Sequence, residues 1–152
     1  FPFVFNPLHL PTFLGPKQFG KHYWPSYKKV LLAIHEMGGK VLAMLEGDWH
    51  NFYEFLQELP KSMLIGAVEK DDLAVVKKEV GDTITLVGGV PLSMLRHNSK
   101  QQCIDETKRV LDHCAPGGGF IFANDKSLLS PGDIKIENLI AVNQYVKENG
   151  TY

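Results

Sequence analysis

The chain has 152 residues, 44% hydrophobic and 22% charged, with a formal net charge of −1 at pH 7, which is the balance of a globular domain rather than a disordered chain. This near-neutral charge gives no electrostatic footprint for nucleic acid and no polybasic patch for a membrane surface. No apolar run approaches the roughly 18 residues of a membrane span. Residues 1–5 lack the charged start and cleavage site of a signal peptide. Two isolated cysteines, Cys103 and Cys114, predict small buried side chains in a cytoplasmic protein.

Helical and strand patterns alternate along the chain. Apolar residues at steps of three and four predict a first helix over residues 19–37, which Gly38 and Gly39 end. The continuous apolar run 41–45 is typical of a strand in a parallel sheet, and a helix pattern follows to Pro60. The same cycle then repeats three times, with strands predicted at 63–68, 83–87 and 120–123 and helices at 73–80, 99–111 and 136–146.

This order predicts an α/β fold with a parallel sheet and right-handed crossovers. The pattern leaves two closures open, a doubly wound sheet and a (β/α)8 barrel. A full barrel needs about 250 residues, so this chain would supply about half of one. We interpret residues 3–5 as the end of a preceding strand. No phosphate-binding glycine loop is expected, because the glycines at 117–119 precede a strand instead of opening a helix.

Four short motifs are spread along the chain. They are the segment from Gly88 to Leu95 with 99–102, the segment 117–123, Pro131 with 136–139, and the segment 16–25. In this order they resemble the "GN-x-P-x-x-L…(S/T)-x-E-E-V", "GG(Y/F)I", "P-x-E-N" and "P-x-x-F-x-x-(F/Y)-x-x-P" patterns of the uroporphyrinogen decarboxylase superfamily. The resemblance implies that residues 1–152 form one domain, the C-terminal half of a (β/α)8 TIM barrel, and are a fragment of a longer chain.

The superfamily contains two chemistries. Uroporphyrinogen decarboxylase binds a substrate with eight carboxylates, which needs arginine donors, and this chain has only Arg96 and Arg109. The decarboxylase pattern "GHGI" after the last strand is also absent, since residues 124–127 read Asn-Asp-Lys-Ser. The resemblance is therefore nearer the corrinoid-dependent methyltransferase branch. It implies transfer of a methyl group from a small methylated donor, such as a methoxylated aromatic, to a partner corrinoid protein. A decarboxylase of porphyrin biosynthesis and a non-catalytic structural fragment are the alternatives.

Better-known members of that branch bind zinc through a His-x-Cys pair at one strand end and a cysteine after the last strand. The corresponding positions here are Met44, Glu46 and Lys126. A carboxylate can ligate zinc, whereas a thioether and a protonated amine do not fit. His9, in the proline-flanked loop after residues 3–5, is a second candidate ligand. Zinc held by Glu46 and His9 is therefore an open expectation.

The strand ends supply the other candidate site residues, because barrel enzymes place their sites at the carboxyl ends of the strands. Glu46 and His9 are each a candidate catalytic residue, with a contact to a backbone amide as the alternative for Glu46 and a contact to a backbone carbonyl as the alternative for His9. The expected substrate-binding residues are Asp48, Trp49, Glu69, Asn124 and Lys126. We expect Trp49 to form an aromatic wall for a substrate or to cover the barrel. Asp48 and Glu69 are alternatively helix caps. Lys126 either binds an anionic substrate group or is a solvated cation.

The half-barrel interpretation has a consequence for assembly. Four strands out of eight leave two open edges and an unpartnered inner face, for which the apolar candidates are Val41, Leu45, Ile65, Ile84 and Leu86. We therefore expect a homodimer, or association with the remaining half of the barrel.

Overall fold

The computed structural model describes residues 3–9 and 13–150. Its strands form one parallel sheet in the order β1-β2-β3-β4-β5. The strands are β1 (Phe3–Leu8), β2 (Lys40–Leu45), β3 (Leu64–Val68), β4 (Thr85–Gly88) and β5 (Phe120–Phe122). The helices are α1 (Pro16–Gln18), α2 (Trp24–Glu36), α3 (Tyr53–Gln57), α4 (Leu73–Val80), α5 (Leu92–His97), α6 (Lys100–Cys114) and α7 (Ile136–Asn149), with a π-helical segment at Phe19–Tyr23 and 3-10 turns at His50–Phe52 and Pro131–Asp133. The predicted alternation of strands and helices is confirmed.

The sheet topology decides between the two closures that the sequence left open. Each strand pairs with the next one along the chain, without the reversal of order that defines a doubly wound sheet. The helices pack on one face of the sheet, where apolar side chains of both layers form the main core, among them Leu31, Val41, Leu64, Val76 and Val110. An all-parallel sheet wound in one direction with its helices outside is the arrangement of part of a (β/α)8 barrel.

Three segments differ from the prediction. Residues 3–5 do belong to a preceding strand, but β1 extends through Pro7 to Leu8. The fourth strand begins at Thr85 and not at residue 83, because the amides of Thr83 and Ile84 both donate to the carbonyl of Val80 and so continue the helix end. The short helix α5 was not predicted. It packs with α6 and α7 in a second cluster made of Val90, Leu95, Cys103, Ile134 and Val142.

The two faces of each strand have different environments. In β2, Val41, Ala43 and Leu45 point to the helices and are at most 1% exposed, while the alternate residues Leu42 and Met44 lie on the opposite, inner face and are half-buried. The inner face also carries Phe3, Phe5 and Ile121, which are 57%, 58% and 47% exposed. The sheet therefore has one packed face and one open apolar face.

The expected list of inner-face residues was wrong at four positions. Val41, Leu45, Ile84 and Leu86 are at most 1% exposed, because they lie on the helix side of the sheet. Of that list, Ile65 alone faces inward, where it lines an apolar hollow of about 270 Å³ with Phe3, Leu42, Val87 and Ile121. The continuous apolar runs concealed the two-residue alternation from which the faces could have been assigned.

Cys103 and Cys114 are both free and buried, as expected. Within residues 3–9 and 13–150, no helix has the length and apolar character needed to cross a membrane.

Candidate functional site

The candidate residues meet at the carboxyl edge of the sheet. His9 directly follows β1, Glu46 follows β2, Glu69 follows β3, and Asn124 and Lys126 come two and four residues after β5. Parallel strands bring their carboxyl ends to one side, so four different loops contribute to one region. We call this region the mouth.

His9 and Glu46 form a pair at the mouth. Leu8 of β1 is in register with Leu45 of β2, so the residue after each strand stands beside the other. The Nδ1 of His9 contacts the Oε2 of Glu46, with the histidine side chain 61% and the glutamate side chain 32% exposed. The structure thus brings together the two residues that the sequence offered as separate catalytic candidates. An imidazole held against a carboxylate and open to solvent can exchange a proton with a bound molecule.

The Glu69 carboxylate contacts residues from two other loops of the mouth. Its Oε2 accepts the backbone N–H of Gly47 at 2.6 Å, and its Oε1 lies 2.9 Å from the Nζ of Lys126. The pKa of the Glu69 carboxyl is below its usual range, first because the Lys126 ammonium bonds to it and second because the Gly47 amide donates to it. Glu69 in turn raises the pKa of Lys126. This pair fixes the position of the loop that carries Glu46.

Asp48 and Trp49, two of the expected substrate-binding residues, both contact other residues of the protein. The Asp48 carboxylate accepts the backbone N–H of His50 at 3.0 Å and lies 2.6 Å from its Nδ1, contacts that lower the pKa of Asp48. Trp49 is 1% exposed and packs edge-on against Phe19, with ring centroids 6.1 Å apart. Of the two interpretations of Trp49, a wall or a cover of the barrel, its buried ring has the position of a cover. Its ring belongs to the core, and its indole N–H donates to the Glu46 carbonyl at 3.1 Å.

Two aspartates that the sequence did not single out as site residues also order the mouth. Asp71 accepts the Trp49 backbone N–H at 2.9 Å and the Tyr53 hydroxyl at 2.7 Å. Burial and this hydrogen bond raise the pKa of Tyr53. Asp125 accepts the backbone N–H of Leu92 at 2.8 Å, joining the loop after β5 to α5. The only sequence signal was the position of each aspartate shortly after a predicted strand.

A cavity opens beside these residues on the inner face. We call it the mouth hollow and define it as two adjoining depressions of about 250 and 300 Å³. Its floor is apolar and its rim is polar. The floor consists of Leu42, Met44, Ala67, Val87 and Ala123, and the rim of Glu46, Glu69, Asn124, Asp125, Lys126 and Ser127, with Leu128 at the margin. This volume is at the small end of ligand pockets, which suits a molecule of about one ring.

A zinc centre needs more ligands than this pair offers. Catalytic zinc sites use three protein ligands and structural sites use four. In the described part of the chain no group of three or more histidine, cysteine, aspartate or glutamate residues could hold a metal ion. Glu46 and His9 supply two of the three or four ligands that a zinc site needs.

Comparison with known proteins gives structural neighbours and a family. The structure superposes on a solved "methyltransferase from Methanosarcina mazei" with a TM-score of 0.71 and 16% sequence identity, covering 98% of this chain and 42% of that chain. At this identity the likeness shows the fold alone, and the chain spans well under half the length of that neighbour. No curated protein matches the sequence. The sequence model of the uroporphyrinogen decarboxylase (URO-D) family matches residues 3–149. The chain therefore belongs to the uroporphyrinogen decarboxylase family.

Proposed function

We propose that the mouth is part of the active site of a methyltransferase, which moves a methyl group from a small methylated donor, such as a methoxylated aromatic, to a corrinoid protein. The observation that carries the proposal is the His9–Glu46 pair beside an apolar-floored hollow. The methyltransferase with the same fold makes this branch of the family the first candidate.

The contacts and positions of the two arginines support the methyltransferase branch over the decarboxylase. The guanidinium of Arg109 bonds Glu106 at 2.7 Å and Asp72 at 3.0 Å, so it is committed to an ion-pair network on α6 and α4. Arg96 lies on α5 and does not line the mouth hollow. No arginine cluster for a substrate with many carboxylates is present in the described ranges.

The proposed chemistry needs a proton at the oxygen that leaves. A corrinoid supplies the nucleophilic cobalt that receives the methyl group. When the bond between the methyl carbon and oxygen breaks, its electron pair stays on oxygen, and an alkoxide or phenolate is a poor leaving group unless it is protonated. His9, protonated and held by the Glu46 carboxylate, donates that proton. The apolar floor of the hollow orients the body of the donor and excludes water from its methoxyl group.

The proposal is tested by measuring methyl transfer to free cob(I)alamin, which is monitored through the change in corrinoid absorbance. The donors are a panel of methoxylated aromatics, and the protein is used as the cell makes it. We expect His9→Ala and Glu46→Gln each to lower the rate by a factor of about 10² or more, the usual contribution of a positioned acid. His22→Ala and Glu36→Gln, which change exposed helix residues, are the matched controls and should keep the rate.

Two results would contradict the proposal. Unchanged rates in the His9 and Glu46 variants would remove the pair from the chemistry. Absence of transfer from every donor, with the protein shown to be folded, would favour the non-catalytic fragment.

A further inference from the structure

The three positions that correspond to the zinc ligands of related methyltransferases lie around one depression. Met44, Glu46 and Lys126 all line the smaller part of the mouth hollow, of about 250 Å³. Met44 belongs to β2, Glu46 directly follows this strand, and Lys126 comes four residues after the end of β5. The fold keeps these positions together, so whether a metal ion fits between them depends on the chemistry of their side chains.

Two of these three side chains do not suit a zinc ion. A thioether is not among the usual zinc ligands, and a protonated amine has no lone pair to offer. The Lys126 side chain is an ammonium, because it contacts the Glu69 carboxylate at 2.9 Å and this contact raises its pKa. Along residues 3–9 and 13–150, no trio of histidine, cysteine or acidic side chains is placed to hold a metal ion. The donor set of the depression is therefore not that of a metal centre.

Lys126 places a positive charge among the carboxylates of the depression. Glu69, Asp125 and Glu46 line the same depression, and all three act on Lys126, Glu69 by direct contact and the other two through space. The Glu69 side chain is 21% exposed, so its contact with the ammonium is partly shielded from water. One cation that is covalently part of the chain thus lies where three acidic side chains come close to one another.

From this arrangement we propose that the Lys126 ammonium is the resident cation of the mouth and takes the place that a divalent metal ion would occupy. A metal ion that approaches Glu46 and Glu69 is repelled by this charge, and it would have to displace Lys126 from Glu69 to reach the carboxylate oxygens. Without the ammonium, the repulsion between the acidic side chains would increase, and a divalent cation would relieve it. The inference concerns which cation the mouth holds and does not depend on methyl transfer.

Binding of Co²⁺, measured by calorimetry on the protein as the cell makes it after dialysis against a chelator, tests this inference. Wild type should show no binding that Glu46→Gln weakens. Lys126→Met and Lys126→Gln, which both remove the charge, should bind Co²⁺ about tenfold more tightly than wild type or better, because a like charge a few ångström from the ion opposes binding by at least that factor. Adding Glu46→Gln to Lys126→Met should abolish the gain, which places the ion in the mouth.

Two further variants are the controls. Lys126→Arg keeps the positive charge and should behave like wild type. Lys78→Met removes an exposed lysine near the end of α4, at the opposite edge of the sheet from the mouth, and controls for a general loss of positive charge. It should leave Co²⁺ binding unchanged.

Two results would overturn the inference. One is Co²⁺ binding by wild type that Glu46→Gln weakens, since the mouth would then hold a metal ion in the presence of Lys126. The other is equal Co²⁺ binding by wild type and the two neutral variants, with circular dichroism showing that they are folded. Failure of the proposed function is a separate result, because absence of methyl transfer from every donor would leave the resident cation standing. Methyl transfer by a protein whose mouth binds Co²⁺ would do the reverse.

Discussion

Glu69 shows how one side chain sets the arrangement of the whole mouth. Its two oxygens bind groups from two other loops, the Gly47 amide and the Lys126 ammonium, and its side chain is only 21% exposed. Partial burial makes these contacts stronger than a surface ion pair, because less water competes for them. Loss of its charge should therefore loosen the loop of Glu46 and free Lys126 together.

The lowered pKa of Glu69 makes a prediction about stability and pH. A carboxyl with a lowered pKa in the folded state stabilises the fold above its usual value of 4.5, and this contribution is lost as the pH falls through the folded-state value. We expect Glu69→Gln to lower the free energy of unfolding at pH 7 by about 1 kcal/mol. At pH 3 wild type and variant should differ much less. Urea unfolding at both pH values, with Glu36→Gln as control, measures this difference, and an equal loss at both pH values would contradict it.

Some site residues could be predicted from the sequence and others could not. His9 and Glu46 each follow a strand, and neighbouring parallel strands in register must bring such residues together. Asp71 gave no comparable signal, because its partners Trp49 and Tyr53 belong to another loop whose path the sequence does not encode locally. For Trp49 the sequence offered a wall or a cover, and the choice depends on its packing against Phe52 and against Phe19, which lies far away in the sequence.

At the scale of elements, the buried side-chain amide of Asn138 joins α7 to α5, beside the bonds that Lys135 makes to the same carbonyls. Asn138 is 1% exposed, and its Nδ2 donates to the carbonyls of Leu95 at 2.9 Å and Asn98 at 3.1 Å. These carbonyls lie at the end of α5, where a helix leaves acceptors without internal partners. Asn138 belongs to the segment that resembles the family's "P-x-E-N" pattern, and this contact gives that asparagine a structural role.

Substitution of this asparagine should be costly. We expect Asn138→Ala to lower the free energy of unfolding by about 2 kcal/mol, because it removes two hydrogen bonds from a site closed to water. Asn143→Ala, an exposed position on the same helix, should change it by less than about 0.5 kcal/mol. Thermal or urea unfolding of both variants gives the comparison, and similar values for the two would show that the buried amide does not hold α5 to α7.

Elements long enough to show a period were predicted well, whereas short ones were missed. Helices α2, α6 and α7, of 13, 15 and 14 residues, carry several turns of apolar spacing. Helix α5 has six residues, fewer than two full turns, so its apolar positions have no repeat to recognise. The strands were found by composition, but their faces were not, since both faces of these runs are apolar.

The open inner face determines how the whole molecule behaves. Within the described ranges, β1 pairs only with β2 and β5 only with β4, so both outer edges lack a strand partner. Phe3, Phe5 and Ile121 expose about half of their surface on the inner face between these edges. Unpaired strand edges next to exposed aromatic and aliphatic side chains favour association with another sheet.

We therefore expect the 152-residue chain, made by itself, to pair with a second copy, and in a longer protein to pack against the remaining strands of a barrel. Light scattering should give a mass of at least twice the 17.0 kDa of one chain. Placing two lysines in the inner face, by Phe5→Lys together with Ile121→Lys, should reduce association, because burying an unpaired charge costs far more than exposing it. Phe13→Lys, at a residue 81% exposed in a loop outside the sheet, should leave association unchanged. A monodisperse 17.0 kDa particle with cooperative unfolding would contradict the prediction and mean that the open face is stable in water.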